Sequence, residues 1–411
     1  MYPTEPVWSD INSPPAQYPW LGEDVECEVC VIGGGMTGTM AAARLAEAGA
    51  DTVLITDSRI GAGGTDCAMP ASEYDGGRTM RELSRASGDE AAAELLFHGI
   101  EAIERLETLA EETGNPFGFS RRDVMLFADD PADLSILNRE YLARRRVGFD
   151  CAYVSRQSAA DIFPFDVAGA VLSKDMACEA DPYLLAHACA ALAKDRGAGV
   201  YENTAADEID TGDGILIRTS TNHRILADKI IIAAGAGCAP LLGDLTRPRT
   251  GFMVAGGNAD MTESWPGRCV LRTWSSPGMT VASSPGGMVC AGGLATGMID
   301  GAGWLGGLLP IPRLIGKRFA ALWSGVGYLL PELAGEPCAR VSVSRYRETA
   351  DFLPIIGEAE PGSGCIFALP SGAAGFIQSE ICSHLAADIA LSGTGMSDAA
   401  MFSPARRSLV R

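Results

Sequence analysis

The chain has 411 residues, 47% hydrophobic and 20% charged, a balance that excludes wholesale disorder and fibrous repeats and gives length for two or three folding units. Its 32 basic against 52 acidic residues give a formal charge of −20, a field that repels nucleic-acid phosphates and anionic lipid, so a small-molecule partner is expected and neither nucleic acid nor stable membrane insertion is. Residues 1–25 join no basic start to an apolar run, so a cytoplasmic protein is expected, with its twelve cysteines reduced and mostly buried.

After an N-terminal extension over residues 1–24, the segment 28–32 reads as a short apolar strand. It runs into Gly33-Gly34-Gly35-Met36-Thr37-Gly38 and then a helix carrying Met40, Ala43 and Leu45, which stops at Gly49. A second strand, 52–56, ends at Asp57, nineteen positions after Gly38. Strand, glycine turn, helix, strand and acidic residue follow one another as in a dinucleotide-binding unit. Gly33 permits the tight turn, Gly35 lets backbone approach a pyrophosphate, and Gly38 lets helix and strand pack closely. The helix N-terminus offers free amides to phosphate, and Asp57 can accept hydrogen bonds from a ribose 2′-hydroxyl while repelling a 2′-phosphate. Cys27 and Cys30 fall on the first strand, where alternation should turn them to opposite faces and prevent a shared metal.

Segments 81–86 and 89–112 read as helices, the second with Leu95, Leu96, Ile100, Ile103, Leu106 and Leu109 at helical spacing. Pro182 opens another helix, 183–195, before strands at 199–201 and 207–209 and a hairpin of 215–219 with 223–226. The apolar run 229–234 reads as a buried parallel strand, and Gly235 after it as a second close approach to a cofactor. From 248 to 340 strands and tight turns dominate, with one helix over 314–328; the apolar stretch 304–315 is too short to span a bilayer and reads as the cover of a pocket. A strand at 365–369 leads through Pro370-Ser371-Gly372-Ala373-Ala374-Gly375 into a helix over 376–391 closed by Gly393, again presenting helix N-terminal amides. The four histidines show no metal spacing, so no metal is expected, and no Ser-His-Asp or GxSxG arrangement supports hydrolysis.

With these pieces placed, the chain resembles the D-amino-acid oxidase family of FAD-dependent oxidoreductases, which includes glycine oxidase, monomeric sarcosine oxidase and gamma-glutamylputrescine oxidase. The resemblance spans most of the chain and rests on segments 31–38, 60–64, Asp181-Pro182, 230–237 and 349–357. It implies an α/β fold: a Rossmann-type FAD-binding domain (25–85, 150–245 and 341–411) interleaved with an α+β substrate domain (86–149 and 246–340) built on a mixed, largely antiparallel sheet. It implies FAD held by Gly33, Gly35, Met36, Thr37, Gly38, Asp57, Ser58, Gly63, Gly64, Thr65 and Gly235, with Gly372, Ala373, Ala374, Gly375 and Phe376 near the flavin pyrimidine. It also implies hydride loss from a carbon bearing nitrogen, giving an imine; the cofactor carries the redox chemistry while the protein binds and orients.

Five positions depart from the family pattern. Tyr346, between Arg345 and Arg347, stands where glycine oxidase-like members place a carboxylate-binding arginine, and the arginine and lysine used by sarcosine oxidase-like members fall at Ala71 and Ile377. Either Arg345, Arg347 or another arginine replaces the clamp, or the substrate is an amine or other non-carboxylate; Tyr346, Arg345 and Arg347 are therefore the candidate catalytic residues. The flavin-proximal lysine matches Cys290 and the flavin-linked cysteine matches Ser344, while Cys67 lies near a flavin-linked histidine of other members and reads as structural. With lysines only at 174, 194, 229 and 317, Lys317 is the one lysine left to supply a cation from the substrate domain, an arginine or a protonated histidine being the alternative. These readings leave open a dehydrogenase of a hydroxy acid or polyol, a flavin-bound non-catalytic subunit, an electron-accepting partner protein and a homo-oligomer.

Overall fold

A computed structural model describes residues 6–212, 214–262, 265–274, 278–296, 311–373, 375–392 and 397–410. Ala374, Gly393 and the 304–310 part of the apolar stretch lie outside the described residues. The rest builds two sheets.

At the centre of the first sheet lies Val25–Ile32, parallel to Thr52–Ile55 on one side and to Arg224–Ile232 on the other. Gly199–Tyr201 extends it beyond Thr52–Ile55; Cys365–Leu369, parallel, and Ile355–Glu358, antiparallel, close the far edge. A parallel sheet must be covered on both faces, which is why these strands read as unbroken apolar runs. Helices Met36–Glu47, Pro182–Asp195 and Gly375–Ser392 share one core with Val29, Val31 and Leu54, whereas Cys30, Val53 and Ile55 pack with Ile215, Ile217 and Ile230 in a second cluster. The predicted strands at 223–226 and 229–234 are one continuous strand, Arg224–Ile232. Its first half pairs with Ile215–Thr219 and its second with Cys365–Leu369. Cys27 and Cys30 pack in one cluster, against the expectation of opposite faces, because the Glu28 and Val29 amides both donate to the Asp51 carbonyl, a bulge that interrupts the alternation.

The second sheet runs Cys338–Thr349, Thr246–Gly256, Val289–Thr296, Met279–Ser283, Val270–Thr273, Ser120–Ala128, Gly169–Glu179, Ala71–Glu73, with Cys151–Ser155 also on Gly169–Glu179. Only Val270–Thr273 with Ser120–Ala128 is a parallel pair among the described strands. Helix Ile311–Leu329 packs on it through Ile315, Leu322, Val326 and Leu329. Sheet membership alternates more finely than the segments drawn from the sequence: Ala71–Glu73, Cys151–Ser155, Gly169–Glu179 and Cys338–Thr349 all belong to this second sheet. Their pairing partners are distant in sequence, as with Ser72 opposite Cys178, and local periodicity carries no record of such pairs.

The N-terminal extension is tied down. Trp8 N and Ser9 N donate to Asp66 Oδ1 at 2.9 and 2.8 Å, and Trp8 Nε1 donates to the Ala68 carbonyl at 2.9 Å. No helix among the described residues is long and apolar enough to cross a membrane.

One contact fixes the junction of helix and sheet: a Cβ on Gly38 would lie 1.8 Å from the Gly33 carbonyl oxygen. Backbone has no rotamer with which to yield, so Gly38→Ala is expected to lower the unfolding free energy by about 3 kcal/mol, read by urea denaturation.

Candidate functional site

The C-terminal ends of the parallel strands open into one cavity of about 1020 Å³ that continues across to the second sheet. That stands at the upper end of the ~300–1,000 Å³ of a typical small-ligand site. Gly33 turns at φ +128°, where a Cβ would meet the Ala233 carbonyl oxygen at 2.5 Å. The turn delivers Gly35, the N-cap of Met36–Glu47, which has no side chain of its own to cap the helix; Met36 N donates to Thr65 Oγ1 at 3.2 Å, and the helix N-terminus opens on the cavity.

The cradle is made of backbone. Cβ positions at Gly63, Gly64 and Gly235 meet nothing within 4 Å, and at Gly35 the nearest atom is Thr65 Oγ1 at 3.1 Å. Side chains are withheld along a line from Gly35 to Gly235, which suits the close approach of a pyrophosphate. Exposed Asp57 and half-buried Ser58 follow Thr52–Ile55 and border the cavity. Met36 and Thr37 border the cavity as well. These residues fit FAD by geometry. Gly38 does not border it and acts through packing.

At the opposite end, Gly372, Ala373 and Gly375 border the cavity. Their loop is held by Gly372 N donating to the Arg347 carbonyl at 2.8 Å and Ser371 N donating to Gln378 Oε1 at 2.9 Å. Phe376 differs from the sequence reading: its side chain is fully buried in the helical core, because the first turn of Gly375–Ser392 points that position at Met36–Glu47 and its neighbours.

On the second sheet, Arg345, Tyr346 and Arg347 all border the cavity, although strand alternation had suggested that only one set would. They differ in what they can offer. Arg347 Nε donates to Thr246 Oγ1 at 2.5 Å and Nη2 to the Thr246 carbonyl at 2.7 Å, so this guanidinium is committed to the start of the neighbouring strand. Arg345 is exposed and forms no ion pair or hydrogen bond with the described residues. Tyr346 leans across Gly251, whose Cβ position lies 3.1 Å from its Cε1; Gly251 is what makes room for the ring.

Two charge groups escaped the sequence reading. Buried Glu348 accepts from Arg78 Nη2 and, at 2.8 Å, from Arg249 Nε, with Arg78 lying 4.2 Å from the centroid of Phe352. Beyond it, Arg272 Nη1 donates to Glu73 Oε2 at 2.5 Å and to Asp75 Oδ1 at 2.9 Å. Arg144 joins Asp75 at 2.9 Å, Glu140 at 2.8 Å and the Tyr74 hydroxyl at 2.5 Å. Glu73 and Arg272, only 5% and 6% exposed, both border the cavity. Burial pushes the Glu73 carboxyl up to about 7 against the pull of Arg272, whereas Asp75, equally buried, is held below the usual carboxylate range by Arg272 and Arg144. A charge inside an apolar strand, as in Val270-Leu271-Arg272-Thr273, was the available signal, but its partners lie 197 and 199 residues away.

Cys290 is fully buried in an apolar cluster with Trp8, Tyr183 and Met253 and does not border the cavity, while Gly292, two residues on, does. Burial pushes the thiols of Cys290 and Cys67 up, which suits neutral packing groups. Ser344 and Cys67 both border the cavity. None of the four lysines borders it, and Lys317 is exposed on its helix. No group of three metal-binding side chains occurs among the described residues.

The two glycines of the fingerprint should separate experimentally. Gly35→Val places methyls where phosphate must approach, so flavin bound per protein is expected to fall at least about tenfold. The denaturation midpoint of the flavin-free protein should stay within that of the parent, unlike Gly38→Ala; equal loss of fold in both would assign Gly35 to packing.

A family model described as FAD dependent oxidoreductase matches residues 28–389. The chain is 29% identical over 250 residues to gamma-glutamylputrescine oxidoreductase of Escherichia coli, covering 57% of this chain and 54% of that protein; it thus spans about half the length of the curated relatives it matches. Among solved structures, glycine oxidase from Geobacillus kaustophilus superposes with TM-score 0.73 at 19% identity, covering 93% of this chain and 99% of that one. Iminodiacetate oxidase from Chelativorans does so with TM-score 0.67 at 21% identity, covering 92% and 99%. A dinucleotide cradle built of backbone, open to a chamber on a second, mostly antiparallel sheet, and a family match over 28–389 lead to one conclusion: the chain belongs to the DAO family of FAD-dependent oxidoreductases.

Proposed function

We propose that this protein oxidises a carbon–nitrogen bond of a small amine or amino acid by hydride transfer to FAD, giving an imine that water hydrolyses. The observation that carries the reading is the continuity of the cradle at Gly35 with a chamber walled by charged side chains, including buried Glu73 and unpaired Arg345. The names of the similar proteins, gamma-glutamylputrescine oxidoreductase, glycine oxidase and iminodiacetate oxidase, point the same way. Bound FAD supplies the two-electron acceptor. The first sheet is read as the FAD-binding domain and the second as the substrate domain.

Within that reading, Tyr346 packs against and orients the substrate, and Arg345 is the cation free to meet a substrate carboxylate. Arg347 is a positioning residue, holding the turn before Thr246–Gly256. Cytoplasmic location and electron transfer to a carrier protein complete the reading. The second rests on Cys290 standing where a flavin-proximal lysine is expected: oxygen reduction develops negative charge that a preorganised cation stabilises, no lysine borders the cavity, Arg78, Arg249 and Arg272 are paired with carboxylates, and Arg345 is read as engaged with the substrate carboxylate.

Anaerobic mixing of the holoprotein with amines, amino acids and hydroxy acids should bleach the flavin with the nitrogen compounds and yield a carbonyl product; reduction by hydroxy acids alone would overturn the reading. Arg345→Gln is expected to raise the KM of carboxylate-bearing substrates by about 10- to 100-fold with little change in kcat, the loss of one charge-assisted contact. Arg347→Ala should instead cost about 1–3 kcal/mol of stability by stranding the Thr246 carbonyl. Reduced protein mixed with aerated buffer should reoxidise more slowly than a committed oxidase.

A further inference from the structure

The buried network behind the chamber is unbalanced. It holds three carboxylates, Glu73, Asp75 and Glu140, against two guanidiniums, Arg144 and Arg272. Asp75 is served by Arg144, Arg272 and the Gly77 amide, and Glu140 by Arg144 and the Met80 amide. Glu73 is served by Arg272 alone, through Oε2; its Oε1 takes no hydrogen bond from the described residues. Glu73 is also the one carboxylate of the three that borders the cavity. The groups acting on it are Arg272 from Val270–Thr273, Arg144 from helix Leu134–Arg146 and Asp75 beside it on its own segment.

A buried negative charge in excess is costly unless a cation or a proton completes it. Its position is fixed near the loop at the ring end of the cradle. Ser72, the preceding residue, accepts from Ile377 N at 3.3 Å, and its Oγ lies 2.9 Å from where a Cβ on Gly375 would be. An ammonium substrate entering between the second sheet and that loop meets Glu73, whose Oε1 takes no hydrogen bond from the described residues. Such a substrate carries no lone pair on nitrogen and cannot release hydride from the adjacent carbon until an N–H proton has gone.

We propose that Glu73 is the acceptor of that proton and so selects substrates that enter as protonated amines. The step rests on the amine reading given above. The N–H bond breaks, an O–H bond forms at Glu73 Oε1, and no electrons are exchanged; the freed nitrogen lone pair then supports departure of hydride from carbon to the cofactor. Charge is conserved within the chamber, since ammonium and carboxylate become amine and carboxylic acid and the excess charge of the network is discharged. The neutral state this requires is within reach, because burial already lifts the Glu73 carboxyl to about 7.

The experiment is the pH dependence of anaerobic flavin reduction by a primary amine in the holoprotein, its Glu73→Gln variant and its Glu73→Asp variant. With Glu73 as base, efficiency in the parent falls about tenfold per pH unit below about 7, because the acceptor is already protonated there. Glu73→Gln should be slower by about 100-fold or more at neutral pH, with the deficit closing as pH approaches the substrate's own pKa, and Glu73→Asp should restore the acid limb. A second readout needs no substrate: infrared difference spectra of the parent should show a carboxylic-acid band titrating near 7 that is missing from Glu73→Gln. Glu73→Gln reducing at the parent's rate with the same limb overturns the assignment and leaves the amine reading standing. A parent reduced by no amine overturns both. If Glu73→Gln loses its flavin, the Glu73→Asp limb and the infrared band of the parent decide, and absence of both overturns the assignment.

Discussion

The molecule depends on backbone meeting backbone at one junction. The Gly33 carbonyl, the Gly38 Cα and the Ala233 carbonyl converge where helix Met36–Glu47 leaves the sheet. Neither a side chain nor a water could be inserted there without lifting the helix away. Because the helix lies this close, its free amides emerge at the level of the strand ends rather than above them, and the cavity begins where the phosphates must sit. Gly34 shares the constraint, since a Cβ there would meet Thr56 at 2.8 Å.

Charge ties the chamber wall together. The 71–78 segment, which enters the second sheet through Ala71–Glu73, carries Glu73, Asp75 and Arg78, and other strands of that sheet answer with Arg249, Arg272 and Glu348. Isolated surface pairs contribute little, but these are buried or half-buried and hydrogen-bonded at several atoms, so removing one member strands the others. The chamber wall is thereby rigid where it faces substrate. The two networks differ in sign: two arginines share Glu348, whereas three carboxylates share two arginines around Asp75. One molecule thus presents an electropositive and an electronegative wall to the same chamber, a field suited to a substrate that carries charge of both kinds or is oriented by it.

The three residues singled out on Cys338–Thr349 show how strand geometry sorts chemically equal candidates. Arg345 and Arg347 are indistinguishable in composition and spacing. Register decides between them: Arg347 lies opposite Pro248 at the start of Thr246–Gly256 and donates to the Thr246 carbonyl, while Arg345 lies opposite Thr250 and makes no side-chain hydrogen bond with the described residues. Tyr346 finds space because its cross-strand neighbourhood contains Gly251 and not a larger residue.

By itself, the sequence determined the dinucleotide half. Strand, glycine turn, helix and acid are local, so periodicity and glycine spacing identified the cradle from Gly33 to Asp57 and the return at Gly235, and the boundaries of the helices fell close to where they are found. It also pointed to the 345–347 cluster as a candidate wall of the site. Only tertiary structure decided the rest: that the strands at 71–73, 169–179 and 338–349 cross to the second sheet, that Phe376 faces the core, that Cys290 is sealed away from the cavity, and that Glu73 and Arg272, 199 residues apart, touch. Each of those depends on long-range strand pairing, whose register is fixed by burial of whole faces at once, and no local pattern of residues encodes which distant charge will be found on the other side.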